Sequence, residues 1–127
     1  MGIWHVRSKR KSTGGLLKRH RNPKKIQMGS LPTKTTIAPL KLKKKKIRGG
    51  SVKTRIISSD QINVFDKKTK KFKKAKIISV LKNPANHNFV RRAIMTKGAI
   101  LKTEAGNVKI TSRPGQDPVL NGVLIQN

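Results

Sequence analysis

From Val52 onward the chain alternates short apolar runs with clusters of turn residues, at the spacing of β-strands rather than helices. Arg48-Gly49-Gly50-Ser51 is a turn signal, and Val52 to Ile57 is predicted as a strand. A second strand is predicted over Gln61 to Phe65. The polar stretch Asp66-Lys67-Lys68-Thr69-Lys70-Lys71 then turns the chain toward a third, over Lys76 to Leu81. Asn83-Pro84-Ala85-Asn86-His87-Asn88 reads as a loop, because Pro84 cannot donate to a central ladder. Strands are then expected over Phe89 to Thr96, Gly98 to Thr103, Val108 to Thr111 and Val119 to Ile125. Phe89 to Ile94 has the length of a helical turn, but Val90, Ile94 and Thr96 favour extended backbone. Gly122, inside the last run, fits a bend or bulge at a barrel corner. Six or seven short strands separated by turns predict an all-β fold, a small antiparallel β-barrel or sandwich.

Residues 1–46 carry neither period. Gly, Pro, Ser and Thr interrupt them repeatedly, and Lys41-Leu42-Lys43-Lys44-Lys45-Lys46 is a block of charge. Such a segment buries too little apolar surface to offset its chain entropy, so it is expected to lack regular structure when free. The chain is therefore divided into a basic extension, 1–46, and a β-barrel domain, 47–127. Fully extended, the first segment would reach about 150–165 Å at most.

Charge sharpens this division. Residues 1–59 hold eighteen Lys or Arg and no acid, the first being Asp60, whereas 93–127 hold four Lys or Arg against two acids. The formal net charge of the 127 residues is +28. A solitary domain repels itself under such a charge, so a polyanion is expected as permanent partner. The 34% hydrophobic content is low for a globular chain. A core drawn from roughly the last 75 residues is marginal alone, so the partner is expected to add stability.

Several function classes drop out. The chain has no cysteine, and so no disulfide, thiolate zinc site or cysteine nucleophile; this fits a reducing, cytoplasmic location. No apolar run reaches the 18 or so residues of a membrane span. The first residues form no secretory signal, and Pro23, Pro32 and Pro39 would break a transit helix. The acids number four, and Asp66, Glu104 and Asp117 fall in predicted turns, leaving no carboxylate pair for acid–base work. There is no nucleotide-cradling glycine motif, and His5, His20 and His87 lack partners for a metal. No enzyme, cofactor, metal or small-molecule substrate is expected.

The basic extension carries the functional signal. Gly14-Gly15 and Gly49-Gly50 stand among cations, where glycine lets the backbone approach phosphates. Arg7, Arg10, Arg19, Arg21, Arg48 and Arg55 are the strongest single candidates, because a guanidinium grips phosphate in a fixed fork. Lys9, Lys11, Ser12, Thr13, Lys18, Lys24, Lys25, Lys53, Lys73 and Arg113 complete the candidate RNA-binding surface. Arg91 and Arg92 join it too, although adjacent strand residues point to opposite sides and only one need face solvent. Individual lysines of the block 41–46 are interchangeable. Aromatic residues are few: Phe65 and Phe89 read as core anchors, while Phe72, between lysine pairs, could lie over a sugar or base. Recognition is thus expected to rest on shape and phosphates, with few bases read.

Several strings occur in order: Ser8-Lys9-Arg10-Lys11-Ser12-Thr13-Gly14-Gly15, Met28-Gly29, Arg48-Gly49-Gly50, Asn83-Pro84-Ala85-Asn86, Phe89-Val90-Arg91-Arg92, Thr96-Lys97-Gly98-Ala99-Ile100 and Ser112-Arg113-Pro114-Gly115-Gln116-Asp117. Together they resemble the archaeal–eukaryotic family of small-subunit ribosomal protein eight, in its compact archaeal form. Ala38, Ser51 and Ser58 depart from the family pattern. The resemblance implies a small β-barrel with a basic N-terminal extension embedded in small-subunit ribosomal RNA, beside neighbouring ribosomal proteins and not as a homo-oligomer. It implies no catalysis. An architectural DNA-binding protein is the alternative; it should show a groove-reading element and intercalating wedges.

Overall fold

The computed structural model describes residues 3–125, apart from the side chain of Arg48. The chain divides into two units, Met1–Pro32 and Thr33–Asn127. In the second unit, strands β1 (Thr35–Thr36), β2 (Lys41–Lys46), β3 (Val52–Ser58), β4 (Gln61–Asp66) and β5 (Lys71–Lys82) precede one helical turn, α1 (Asn88–Arg91). Strands β6 (Ile94–Met95), β7 (Ile100–Thr103), β8 (Gly106–Ile110) and β9 (Asn121–Leu124) follow.

Strands β4, β5, β7, β8 and β9 close into a barrel. Neighbours along the chain pair antiparallel, so in a five-strand meander the first and last strands run the same way. Closure can then only be parallel, as it is between β4 and β9. A second sheet has the order β2-β3-β1-β6, with β1 parallel to β3 and antiparallel to β6.

Alternation builds the core. Ile62 and Val64 of β4, Leu101 of β7, and Val108 and Ile110 of β8 are buried at two-residue spacing, each worth about 1.5–3 kcal/mol. In β5 the buried set is Ala75, Ile77 and then Val80, a step of three. A register shift against β7 between Ile77 and Ser79 supplies the extra residue, so this twelve-residue strand changes phase as it bends around the barrel. Ile56, Met95, Ala99 and Leu120 complete the same cluster from outside the barrel strands.

Buried polar groups are tied in. Thr35 Oγ1 donates to Ile56 O at 2.8 Å, joining β1 to β3. Asn83 Nδ2 donates to Ile94 O at 2.9 Å, and its Oδ1 accepts from Ala85 N and Thr96 Oγ1. One side chain thereby fixes the loop that the sequence marks with Pro84. Ile56 N donates to Pro114 O, which anchors the loop around Arg113 against β3.

The strand expected over Phe89–Thr96 is corrected to α1 followed by β6. Asn86 Oδ1 accepts from Asn88 N, Phe89 N bonds to Asn86 O, and Ala93 leaves the turn with φ 49°. Local asparagine hydrogen bonding overrides the β-branched propensity here. Gly122 marks no bulge: register runs unbroken across it against β4 and β8. A Cβ there would collide with Val108 Cγ1 and lie 3.0 Å from both Ile62 Cδ1 and Lys109 O, so the glycine serves close packing. Phe65 is absent from the buried core; it lies on the outer face of β4, its ring 4.8 Å from that of Phe72. The lysine block 41–46, assigned by sequence to the extension, pairs along its length with β3.

Among the described residues of the first unit none is buried, and backbone contacts hold it. Trp4 pairs with Met28, and Gly29 N donates to Ile3 O at 2.6 Å. Gly29 is obligatory at this crossing, since a Cβ would sit 2.6 Å from His5 Nε2 and 2.9 Å from Ile3 O. Residues 9–17 form a small hairpin: Arg10 pairs with Leu16, Leu17 N bonds to Lys9 O, and Gly14 N closes a turn onto Lys11 O. Gly14 has φ 84°, which a turn of this kind requires. Lys25–Gln27 forms a 3₁₀ turn capped by Gln27 Oε1, which accepts from Lys24 N at 3.0 Å.

Candidate nucleic-acid interface

The β2–β3 ribbon concentrates positive charge in a way folding alone does not favour. Lys43 is the register partner of Arg55, and Lys45 that of Lys53. Positions two apart on a strand share a face, so these four cations form a two-by-two array. Like charges directly opposite one another destabilise a sheet. Arg55 is half-buried, and its Nε is buried without a hydrogen-bond partner. An anionic oxygen on this face would relieve the repulsion.

At the tip of the ribbon, Ile47 N donates to Ser51 O at 2.9 Å. Gly49 and Gly50 take φ 79° and 81°, with open space where each Cβ would stand. Backbone conformation, not crowding, demands these glycines, and they leave the tip bare for close approach. Arg48 shares this backbone turn, but its side chain is outside the described residues.

In the first unit, Arg7, Lys9, Lys18, Arg19 and Arg21 line one cleft of about 710 Å3, with Trp4, His5 and His20 among its other walls. Five of the residues singled out by sequence thus converge. Arg10 is partly committed to structure, its Nη1 donating to Gly14 O at 2.8 Å. Lys11, Ser12, Thr13, Gly14 and Gly15 are exposed around the hairpin turn, and Lys24 and Lys25 are exposed at the 3₁₀ turn.

The remaining candidates are dispersed over the second unit. Arg91 and Arg92 are both exposed, because a helical turn separates neighbours by about 100° rather than placing them on opposite faces. Arg113 is exposed in its loop, whose shape is set by Asp117 Oδ2 accepting from Arg113 N at 3.2 Å. Lys73 is exposed on β5 beside Phe72. Asp66 accepts from Lys68 N and Thr69 Oγ1, both at 2.9 Å, and these bonds hold its carboxyl below the usual carboxylate range. The acids therefore build turns. Among the described residues no group of three His, Asp or Glu could hold a metal.

By sequence the lysines of 41–46 are interchangeable; register distinguishes Lys43 and Lys45 by their cationic partners. A lysine block carries little strand propensity, and nothing local announces that it will pair with β3. The cross-strand partners Lys53 and Arg55 were legible only as isolated cations.

Comparison with known proteins decides the lineage of this cationic barrel. Residues 4–125 match the model for ribosomal protein S8e. The chain belongs to the ribosomal protein S8e family. It is 51% identical over 120 residues to the small ribosomal subunit protein eS8 of Nanoarchaeum equitans, covering 94% of each chain. The protein of that name from Methanocorpusculum labreanum is 47% identical over 124 residues, covering 98% of this chain and 99% of its own. The Sulfolobus acidocaldarius protein is 42% identical over 127 residues, covering 99% of both. S8e proteins are structural ribosomal components and not a family of enzymes. The DNA-binding alternative gains no support from this membership.

Proposed function

We propose that the chain is a structural constituent of the small ribosomal subunit that binds folded ribosomal RNA through its phosphate backbone. The array of Lys43, Arg55, Lys45 and Lys53 carries this reading. It juxtaposes like charges, a cost that phosphate oxygens offset. The Arg- and Lys-lined cleft of the first unit adds a second anionic docking surface. The names of the archaeal relatives support the small subunit as the assembly and the cytoplasm as its location.

In this reading residues 1–32 order along the RNA, their entropy cost met by charge-assisted contacts and counterion release. Neighbouring ribosomal proteins adjoin the barrel, and the chain acts as a single copy. The test is binding to small-subunit ribosomal RNA across a salt series, with duplex DNA as competitor. Affinity should fall steeply with salt, and DNA should compete poorly. Equal competition by duplex DNA would contradict the proposal.

A further inference from the structure

The barrel carries a second feature that phosphate binding does not use. On the outer face of β5, β4 and β9, register places Phe72 beside Phe65 and Phe65 beside Val123. One step along, Lys74 stands beside Asn63 and Asn63 beside Asn121. An aromatic and apolar row thus runs parallel to a polar row across three strands. Between and around them lies a groove of about 590 Å3, which Thr111 and Lys73 also line.

Phe72 is 75% exposed, an unusual position for a large apolar ring in a chain with three phenylalanines. Phe65 lies beneath it, tilted 41° with centroids 4.8 Å apart, so the exposed ring is backed rather than loose. Asn63 Nδ2 donates to Asn121 Oδ1 at 3.1 Å. That bond orients both amides and leaves one carbonyl oxygen and one NH₂ group on the lining to meet the edge of a base.

We propose that this groove holds an unpaired nucleobase of single-stranded RNA, stacked on Phe72, with its edge at the Asn63–Asn121 pair and a flanking phosphate at Lys74. Each part of a nucleotide has its counterpart: a π-face for the ring, amides for its polar edge, an ammonium group for the backbone. A protein partner would find the aromatic row ringed by like-charged lysines, which favours a polyanion as the occupant. The proposal rests on the RNA-binding reading above and adds to it a single base contact on the barrel.

The test uses the full chain and two short single-stranded RNAs of equal charge. One carries 2-aminopurine at its centre, and the other is abasic there. Wild type should bind the base-containing RNA on the order of tenfold more tightly than the abasic one, with quenched 2-aminopurine fluorescence. Phe72→Ala should erase that preference and Phe72→Trp should keep it; each variant's thermal melt verifies folding. A preference absent in wild type or surviving Phe72→Ala overturns the proposal. Salt-dependent binding of small-subunit RNA would stand in either of these cases, so loss of the base site is distinguishable from loss of the general function.

Discussion

Val108, on β8, fills from the neighbouring strand the space that a side chain on Gly122 would need. The relationship matters because β9 closes the barrel, pairing with β8 on one side and β4 on the other. Gly122→Ala would push its methyl into Val108 Cγ1 and against the carbonyl of Lys109, which is backbone and cannot step aside. Overpacking of this kind costs about 1–3 kcal/mol. Thermal unfolding of the variant should show a clearly lower midpoint. An unchanged midpoint would mean that the closure is looser than its register implies. Val108→Ala combined with Gly122→Ala should recover part of the loss, since the colliding methyl is gone.

Arg55 separates stability from function. Arg55→Met keeps an aliphatic stem but removes both the charge opposite Lys43 and the unpartnered Nε. The free protein should hold its stability or gain about 1 kcal/mol. Binding to small-subunit RNA should weaken, and the logarithmic salt slope should shrink by about one. Opposite movement of two measurements on one variant is the signature of a residue kept for its ligand. A variant that loses stability and keeps its salt slope would assign Arg55 to the fold alone.

Much of this barrel is legible in its alternation. Ile62 and Val64, Leu101, and Val108 and Ile110 point inward at the spacing their sequence suggests, because a half-buried sheet imposes a period of two. The chain fails to announce itself where a non-local or side-chain contact decides. Asn86 and Asn83 supply hydrogen bonds that convert Phe89–Thr96 from a strand into a turn of helix and a short strand. Lys41–Lys46 becomes a strand only because β3 is there to pair with it. Phe65 looks like core by composition, but it shares the face of Asn63 rather than that of Ile62 and Val64. Cations could be read individually, whereas their arrangement into arrays depends on register, which no local signal specifies.

Pairing of β2 with β3 leads to a prediction about truncation. A chain beginning at Thr33 keeps Thr35 bonded to Ile56 O, Thr36 O accepting from Ser59 N, and Pro39 O accepting from Ser58 Oγ. A chain beginning at Ile47 loses all three and exposes the edge of β3. The first should unfold cooperatively near the full-length midpoint. The second should melt lower, since carbonyls and amides left unpaired cost about 1–3 kcal/mol where buried. Both should lose most of their RNA affinity with the first unit's arginines. Equal melting of the two fragments would show that β1 and β2 add nothing to the barrel.

Acid should act on the β4–β5 hairpin through Asp66. Its carboxyl is held below the ordinary value of 3.8, first by the Lys68 backbone N–H and then by the Thr69 hydroxyl. A group whose folded pKa is depressed stabilises the fold fully above its ordinary value. That contribution fades as pH falls through the lowered one. The turn should therefore stay closed at pH 5 and loosen only in strong acid. The Phe65–Phe72 ring contact lies one register step from the Asp66–Lys71 pair, so ring-current shifts on Phe72 report the opening. In an NMR titration those shifts should collapse below the midpoint of a free carboxylate. Asp66→Asn, which cannot ionise, should remove that acid step while retaining the bond from Lys68 N. A wild-type midpoint at or above that of a free carboxylate would show that the turn does not hold Asp66 ionised, and the aromatic platform would then owe its position to Phe65 alone.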